Sequence, residues 1–231
     1  MPLDPTQISD ADMRYVERAA DLLLERCLID AGIPSSVPNR LEGTAEISPF
    51  TYFGPWVLER AAQDGYDVVG ESSSSDAMSD WEHKLTDQQM DVMSDCMESD
   101  DWRALDYTEL VNVGTSARGE RDSFTWARQN PAWKATADAY YECMEKLGYT
   151  FGSSAEFSPE VAITATGEQA VLIAVDEVEC KDKVSLVQNL MDIVAAYELA
   201  FIDANEAALA EEQKAKKKIL DYADLIVSRN S

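Results

Sequence analysis

Residues 184–226 read VSLVQNLMDIVAAYELAFIDANEAALAEEQKAKKKILDYADLI. Apolar side chains recur through this stretch at the spacing of one helix face, from Leu190 through Phe201 to Ile226. The spacing predicts a helix of roughly 40 residues, which is long enough to project beyond a compact body. We expect the lysines near its C-terminal end to form a solvated face: Lys214, Lys216, Lys217 and Lys218.

Start and stop signals predict shorter helices along the rest of the chain. Ser9 and Asp12 mark the start of a helix that Gly32 ends, and a capping box of Thr86 and Gln89 begins another. That second helix runs to about residue 97, and a polar linker is predicted over the serines at 72–75. The remaining predicted helices are Trp56–Gln63, 106–112, a segment from Asp122 that breaks at Pro131 and resumes to Gly148, and one through 170–175.

These patterns predict an all-α fold. An irregular helical domain stapled by disulfides is expected over residues 1–183, with a very long C-terminal helix over 184–231 that packs on it and projects. The apolar run Ala170–Val175 also suits a strand. Acidic residues continue the run on both sides without a turn signal, which favours a helix.

Charge separates this chain from an average globular protein. Its 231 residues include 44 acidic and 19 basic ones, which gives a net charge of −25. Phosphates of nucleic acids and anionic lipid surfaces repel such a chain, so no nucleic-acid partner is expected. The sequence contains no run of 20 apolar residues, so no transmembrane segment is predicted.

The four cysteines are widely spaced and form no C-x-x-C pair: Cys27, Cys96, Cys143 and Cys180. An even number at such spacing suits two disulfides and an oxidising compartment, and four buried thiols in a cytosolic protein are the alternative. Two of them begin the pattern Cys-[Leu/Met]-x3-Gly at a helix end, and a later cysteine follows each. We therefore expect Cys27–Cys96 and Cys143–Cys180, although four cysteines allow three connectivities.

Further short motifs accompany these helix ends. They are Tyr52-Phe53-Gly54, Gly65-Tyr66, Trp133 ten residues before Cys143-Met144, Ala-Val-Asp-x-x-x-Cys-Lys over 174–181, and Asn205 in the long acidic C-terminal helix. In this set the chain resembles a group of uncharacterised secreted proteins and lipoproteins of actinobacteria. The resemblance implies an extracytoplasmic protein, secreted or lipid-anchored at the outer face of the cell membrane, with any lipid anchor in the full-length precursor. Such proteins carry no established activity, so it implies a location rather than a mechanism.

Few groups in the sequence point to catalysis. The only histidine is His83, and no G-x-S-x-G motif supports a nucleophile. We expect His83 to lie exposed in a loop, and we expect no cofactor. The five tryptophans suit an aromatic cleft for sugar or peptide as well as a helical core: Trp56, Trp81, Trp102, Trp126 and Trp133.

The candidate binding residues lie in an acidic stretch, where residues 71–101 carry ten acids against Lys84 alone. Asp87, Asp91 and Asp95 follow each other at four-residue spacing, so their carboxylates share one helix face and repel each other. A cation or a basic partner would relieve this repulsion, but no EF-hand pattern is present and no metal site is expected. The methionines of this helix fit the core better than a copper(I) site: Met90, Met93 and Met97.

We therefore expect a non-enzymatic binding or accessory protein of the cell envelope. It would act through the acidic face or the long helix on a protein or peptide partner, preferably a basic one. The alternatives are a carboxylate-dependent cell-wall hydrolase and a protein that sequesters cations or cationic peptides. A hydrolase requires two carboxylates about 5–9.5 Å apart at a cleft, one with a raised pKa, whereas a binding module shows a groove or patch without such a pair.

Overall fold

The computed structural model describes residues 1–39, 41, 53–66, 73–152 and 156–229, with the side chains of 73–77 left out. These residues form helices and no strand, which confirms the all-α prediction. The α-helices are α1 (Asp10–Asp30), α2 (Leu58–Asp64), α3 (Ser73–Glu82), α4 (Asp87–Met97), α5 (Asp100–Arg103), α6 (Thr108–Val113), α7 (Thr115–Arg128), α8 (Pro131–Lys146), α9 (Gly167–Lys183) and α10 (Leu186–Arg229). Two 3-10 turns cover Asp4–Thr6 and Glu160–Ile163.

The predicted caps are present at α1 and α4. The Ser9 hydroxyl accepts the Asp12 N–H and the Asp12 carboxylate accepts the Ser9 N–H, both at 3.1 Å. Thr86 and Gln89 form the same reciprocal pair at the start of α4. Each box satisfies two backbone donors that a helix start otherwise leaves to water, so these starts are encoded locally.

Differences from the prediction include the starts of α3 and α7. α3 begins at Ser73, so the described part of the predicted serine linker belongs to a helix, and Ser72 lies outside the described residues. α7 begins at Thr115, well before the predicted start at Asp122. Its first turn is held by a distant residue, because the Glu212 carboxylate of α10 accepts the backbone N–H groups of Thr115 and Ser116.

The very long C-terminal helix is confirmed as α10, which spans 44 residues. It is kinked at Asn205, where φ is −126° and ψ is 18°. The Asn205 side-chain amide donates to the carbonyl oxygen of Phe201 at 2.8 Å. A side chain that bonds the preceding turn in this way competes with the helix ladder and accounts for the bend.

The lysine-rich part of α10 is a solvated face only in part. Lys214 and Lys217 are exposed and pair with acids one turn away on the same helix. Lys216 is instead mostly buried: its ammonium lies 3.0 Å from Asp12 Oδ2 and donates to the Gln7 carbonyl at 2.6 Å. The expectation was therefore wrong for Lys216, which ties α10 to the start of α1.

The chain divides into two compact units. Unit 1 comprises residue 1, Glu46–Gly70 and Asp122–Ala200, and unit 2 comprises Pro2–Ala45, Glu71–Arg121 and Phe201–Ser231. Because α10 contributes to both units, this division does not coincide with the predicted boundary between residues 183 and 184. Trp133, Tyr140 and Leu190 lie at the centre of the unit 1 core.

Each unit contains one of the two expected disulfides. In unit 2, Cys27 of α1 is bonded to Cys96 of α4, with their Cα atoms 6.0 Å apart. In unit 1, Cys143 of α8 is bonded to Cys180 of α9, with their Cα atoms 5.7 Å apart. Both distances lie within the usual range for disulfides. The predicted connectivity is confirmed, and each bond joins two helices of one unit.

Candidate functional site

A buried ion pair lies on α9 in unit 1. Glu177 and Lys181 are one helical turn apart, and their side chains are 0% and 1% exposed. Lys181 Nζ lies 2.6 Å from Glu177 Oε2. Ala174 and Val178 on the same helix are also fully buried, so this face of α9 points into the core. Two opposite charges therefore lie together where water does not reach.

The Lys181 ammonium has an acceptor for each of its three N–H groups. It donates to Glu177 Oε2, to the carbonyl oxygen of Phe53 at 2.6 Å and to that of Pro55 at 2.9 Å. The residue between these carbonyls is Gly54, with φ of +68°. A Cβ atom at this position would lie 3.3 Å from Lys181 Nζ and 2.9 Å from Ser158 Oγ. The backbone can approach the ammonium this closely because the residue is glycine.

The Glu177 carboxylate is satisfied on its other side. Its Oε1 atom accepts the hydroxyl of Tyr66, and Ser158 also hydrogen-bonds to the carboxylate. Burial raises the pKa of Glu177 and lowers that of Lys181, while the ion pair and its hydrogen bonds act in the opposite direction. Burial and the charge of Glu177 raise the pKa of Tyr66, whose phenol stays a donor. The cluster connects the 53–66 segment to α9 and presents no open charge.

Aromatic rings surround this cluster. Lys181 Nζ lies 5.6 Å from the centre of the Tyr140 ring, and the Tyr140 hydroxyl donates to the Phe157 carbonyl at 2.8 Å. The Phe53 ring packs on Phe157 and Trp133, with centroid distances of 5.6 and 6.2 Å. Low polarity around a fully satisfied ion pair strengthens each of its hydrogen bonds.

Several of the short sequence motifs meet in this core. The Phe53 carbonyl accepts a hydrogen bond from Lys181, and Gly54 lies between this carbonyl and that of Pro55. Tyr66 donates to Glu177, and Tyr52 lies outside the described residues. Tyr149, which follows the Gly148 helix stop, donates to Asp176 Oδ2 at 2.6 Å. The buried pair itself was missed from the sequence. Its available signal was an acid and a base four residues apart directly after an apolar run.

The predicted acidic face is present on α4 in unit 2. Asp87, Asp91 and Asp95 are exposed and lie one turn apart along the helix. Cys96 faces the opposite way, is 5% exposed and packs with Leu24 and other buried residues of unit 2. The three carboxylates therefore point to solvent from a helix whose other side is covalently held.

The methionines of α4 do not form the expected core stripe. Met93 packs against the core, but Met90 and Met97 are 42% and 39% exposed. His83 is exposed just after α3, and its Nδ1 atom lies 2.6 Å from the Ser79 carbonyl oxygen. In the part of the chain that is described, no three His, Cys, Asp or Glu residues are grouped so that they could hold a metal ion.

The tryptophans of the described residues are divided between the two units. Trp133 belongs to the unit 1 core, whereas Trp102 lines a cavity of about 330 Å³ in unit 2. Val16, Ala20 and Leu105 give this cavity its apolar lining, and the described charged groups along it are Glu17, Arg103 and Asp106. This cavity was not identified from the sequence, because its walls come from α1 and from residues 97–108.

Two hydrogen-bonded groups shape that cavity. The Tyr107 hydroxyl donates to Glu17 Oε1 at 2.7 Å, which ties the two walls together. Hydrogen bonds from the side chain and backbone N–H of Thr108 hold the pKa of Asp106 below its ordinary value. The backbone bond, to Asp106 Oδ1, measures 2.8 Å. The cavity thus carries a carboxylate that stays ionised under mildly acidic conditions.

No single helix of the described ranges is both long and apolar enough to cross a membrane. α9 and α10 meet the length and composition criteria only as a pair, bent by 60° at the break between them. Comparison with protein-family models, with curated proteins and with solved structures finds no match to this chain.

Proposed function

We propose that this chain is a non-enzymatic, extracytoplasmic binding or accessory protein of the cell envelope. Its acidic face, formed by Asp87, Asp91 and Asp95, meets a basic protein or peptide partner. The observation that carries the proposal is the Cys27–Cys96 disulfide. It anchors α4 to α1 on the side away from the three carboxylates, so that they are presented on a fixed helix.

Electrostatics favours a basic partner at this face. Carboxylates one turn apart on a helix repel each other by tenths of a kcal/mol, about 0.2–0.5 per pair, and a cationic partner relieves that repulsion. The net charge of −25 also draws basic molecules toward the chain and speeds their association. A cation-sequestering or cationic-peptide-sequestering protein would use the same surface, and a peptide partner agrees better with the lack of grouped ligands in the described ranges.

The disulfides support the location. Two such bonds, one in each unit, are typical of proteins that fold in an oxidising compartment. The resemblance to secreted actinobacterial proteins and lipoproteins agrees with this location, and an anchor in the precursor would hold the protein at the outer face of the membrane.

The hydrolase alternative gains no support from the buried carboxyl. Glu177 is the described carboxyl whose pKa is raised, as a general acid requires. It is fully buried, however, and its two oxygens face Lys181 and Tyr66. This carboxyl is in a position to stabilise the fold and not to protonate a substrate.

Calorimetric titration with a capped tetralysine peptide tests the binding face. We compare the wild type with the triple variant Asp87→Asn, Asp91→Asn, Asp95→Asn. The matched control removes the same charge from exposed acids of unit 1, through Glu145→Gln, Glu168→Gln and Glu179→Gln. We expect the first triple to lose about tenfold or more in affinity and the control less than about threefold. Equal losses would show general attraction to an acidic chain and would overturn the proposal.

A further inference from the structure

The cavity of unit 2 combines an apolar lining with aromatic walls. Val16 and Leu105 are 1% and 3% exposed, so the inner part of the cavity belongs to the core. Trp102 and Tyr107 add aromatic rings along the wall. Its volume of about 330 Å³ lies at the lower end of the range for ligand sites, and suits one side chain better than a large cofactor.

The charges of the cavity are mainly negative. Glu17 and Asp106 line it, and Arg103, which is exposed, is the one cation along its described lining. Glu98 and Asp100, which lie close in sequence to the lining residues Met97 and Trp102, are also exposed acids. A lysine or arginine side chain has an apolar stem and a cationic head, and aromatic rings together with carboxylates bind both parts.

We propose that this cavity binds one lysine or arginine side chain from a basic peptide segment of the partner. The stem would pack on Ala20 and Leu105, and the cationic head would lie near Glu17 and Asp106. The inference rests on the proposed function, because it specifies where unit 2 holds one basic side chain of the partner that the acidic face attracts. The inference can nevertheless fail while the proposed function stands, because a substitution that fills the cavity leaves every charge of the acidic face in place.

The test uses the same capped tetralysine peptide with three single variants of the full chain. Ala20→Met places a longer apolar side chain in the cavity and leaves every charge in place. Arg103→Gln removes the cation at the cavity, and Glu17→Gln removes a carboxylate while keeping an acceptor for Tyr107. Glu145→Gln, exposed in unit 1, is the control for loss of one acid. Circular dichroism establishes that each variant is folded.

We expect Ala20→Met and Glu17→Gln each to weaken binding by about fivefold or more, and Arg103→Gln to strengthen it severalfold. Glu145→Gln should leave the affinity within about twofold. If Ala20→Met fails to fold, Glu17→Gln and Arg103→Gln together decide the question.

Three results would overturn the inference. Unchanged affinity in Ala20→Met and Glu17→Gln, with a loss in the triple Asp variant of α4, would leave the proposed function standing and remove the cavity as the anchor. Weaker binding in Arg103→Gln would show that the arginine attracts the ligand, which excludes a purely cationic head group. Absence of tetralysine binding to the wild type would contradict both proposals.

Discussion

Lys181 and Glu177 form an ion pair with an Nζ–Oε2 distance of 2.6 Å, and neither side chain is more than 1% exposed. Removing two charges from water costs several kcal/mol per ion, and mutual attraction offsets this cost only where the remaining polar atoms are also satisfied. Here the carbonyls of Phe53 and Pro55 and the hydroxyl of Tyr66 complete the set. The ion pair therefore stabilises unit 1 only while each of these hydrogen-bond partners is present.

Loss of the ammonium should be costly. Lys181→Met leaves a buried carboxylate facing two carbonyl oxygens, and we expect the free energy of unfolding to fall by about 3–5 kcal/mol in urea denaturation. The control is Lys134→Met. Lys134 also pairs with an acid one turn away, Asp138, but the two side chains are 76% and 53% exposed. There we expect a loss of less than about 1 kcal/mol. Similar losses in the two variants would argue against a special role for the buried pair.

Gly65 should tolerate alanine less well than Gly148. Both glycines have positive φ values, +62° and +93°, so alanine strains the backbone at each position. A Cβ atom at Gly65 would also lie 3.0 Å from the backbone nitrogen of Val171, whereas none of the atoms around Gly148 comes within 4 Å. We expect Gly65→Ala to lower the free energy of unfolding by about 1–3 kcal/mol more than Gly148→Ala. Equal effects would place α2 and α9 further apart than described.

Stability should decline at alkaline pH in part through Tyr149. Burial, together with its hydrogen bond to Asp176, raises the pKa of Tyr149 to about 12 from an ordinary value of 10. The folded state thus favours the neutral phenol. Its contribution is fully present below about pH 10 and is lost as the pH rises through about 12. Denaturation measured across this interval should show a smaller decline in Tyr149→Phe than in the wild type, and parallel declines would contradict the assignment.

Salt should stabilise the chain. With a net charge of −25, self-repulsion weakens the compact state, and added salt screens it over a Debye length of about 10 Å at 0.1 M. We expect the melting temperature to be higher in about 0.3 M than in about 0.01 M sodium chloride. In the triple variant Asp87→Asn, Asp91→Asn, Asp95→Asn the same addition of salt should raise the melting temperature by less. A flat or falling trend in the wild type would show that the acids are neutralised within the fold.

The features that the sequence allowed us to predict are those encoded by near neighbours. The capping boxes at Ser9 and Thr86 use residues three positions apart, and the column of Asp87, Asp91 and Asp95 follows from helix periodicity alone. The disulfides were within reach because two helix ends share one pattern. The length of α10 followed from an uninterrupted apolar stripe, although its bend at Asn205 did not.

The features that were missed depend on residues far apart in the chain. α7 begins at Thr115 because Glu212 binds its first backbone N–H groups, and Lys216 is only partly exposed because Gln7 and Asp12 lie beside it. The Glu177–Lys181 pair needs acceptors more than a hundred residues away in sequence. The cavity beside Trp102 likewise forms only where α1 packs on the segment after α4. Helix periodicity therefore cannot predict it.

The proposed extracytoplasmic location requires that both disulfides form outside the reducing cytoplasm. The direct measurement is a thiol count on protein from the cells that make it, alkylated before lysis and then denatured without reductant. We expect zero free thiols, and peptide mapping should recover Cys27 crosslinked to Cys96 and Cys143 to Cys180. Four free thiols in protein trapped in this way would contradict the disulfides and, with them, the extracytoplasmic location.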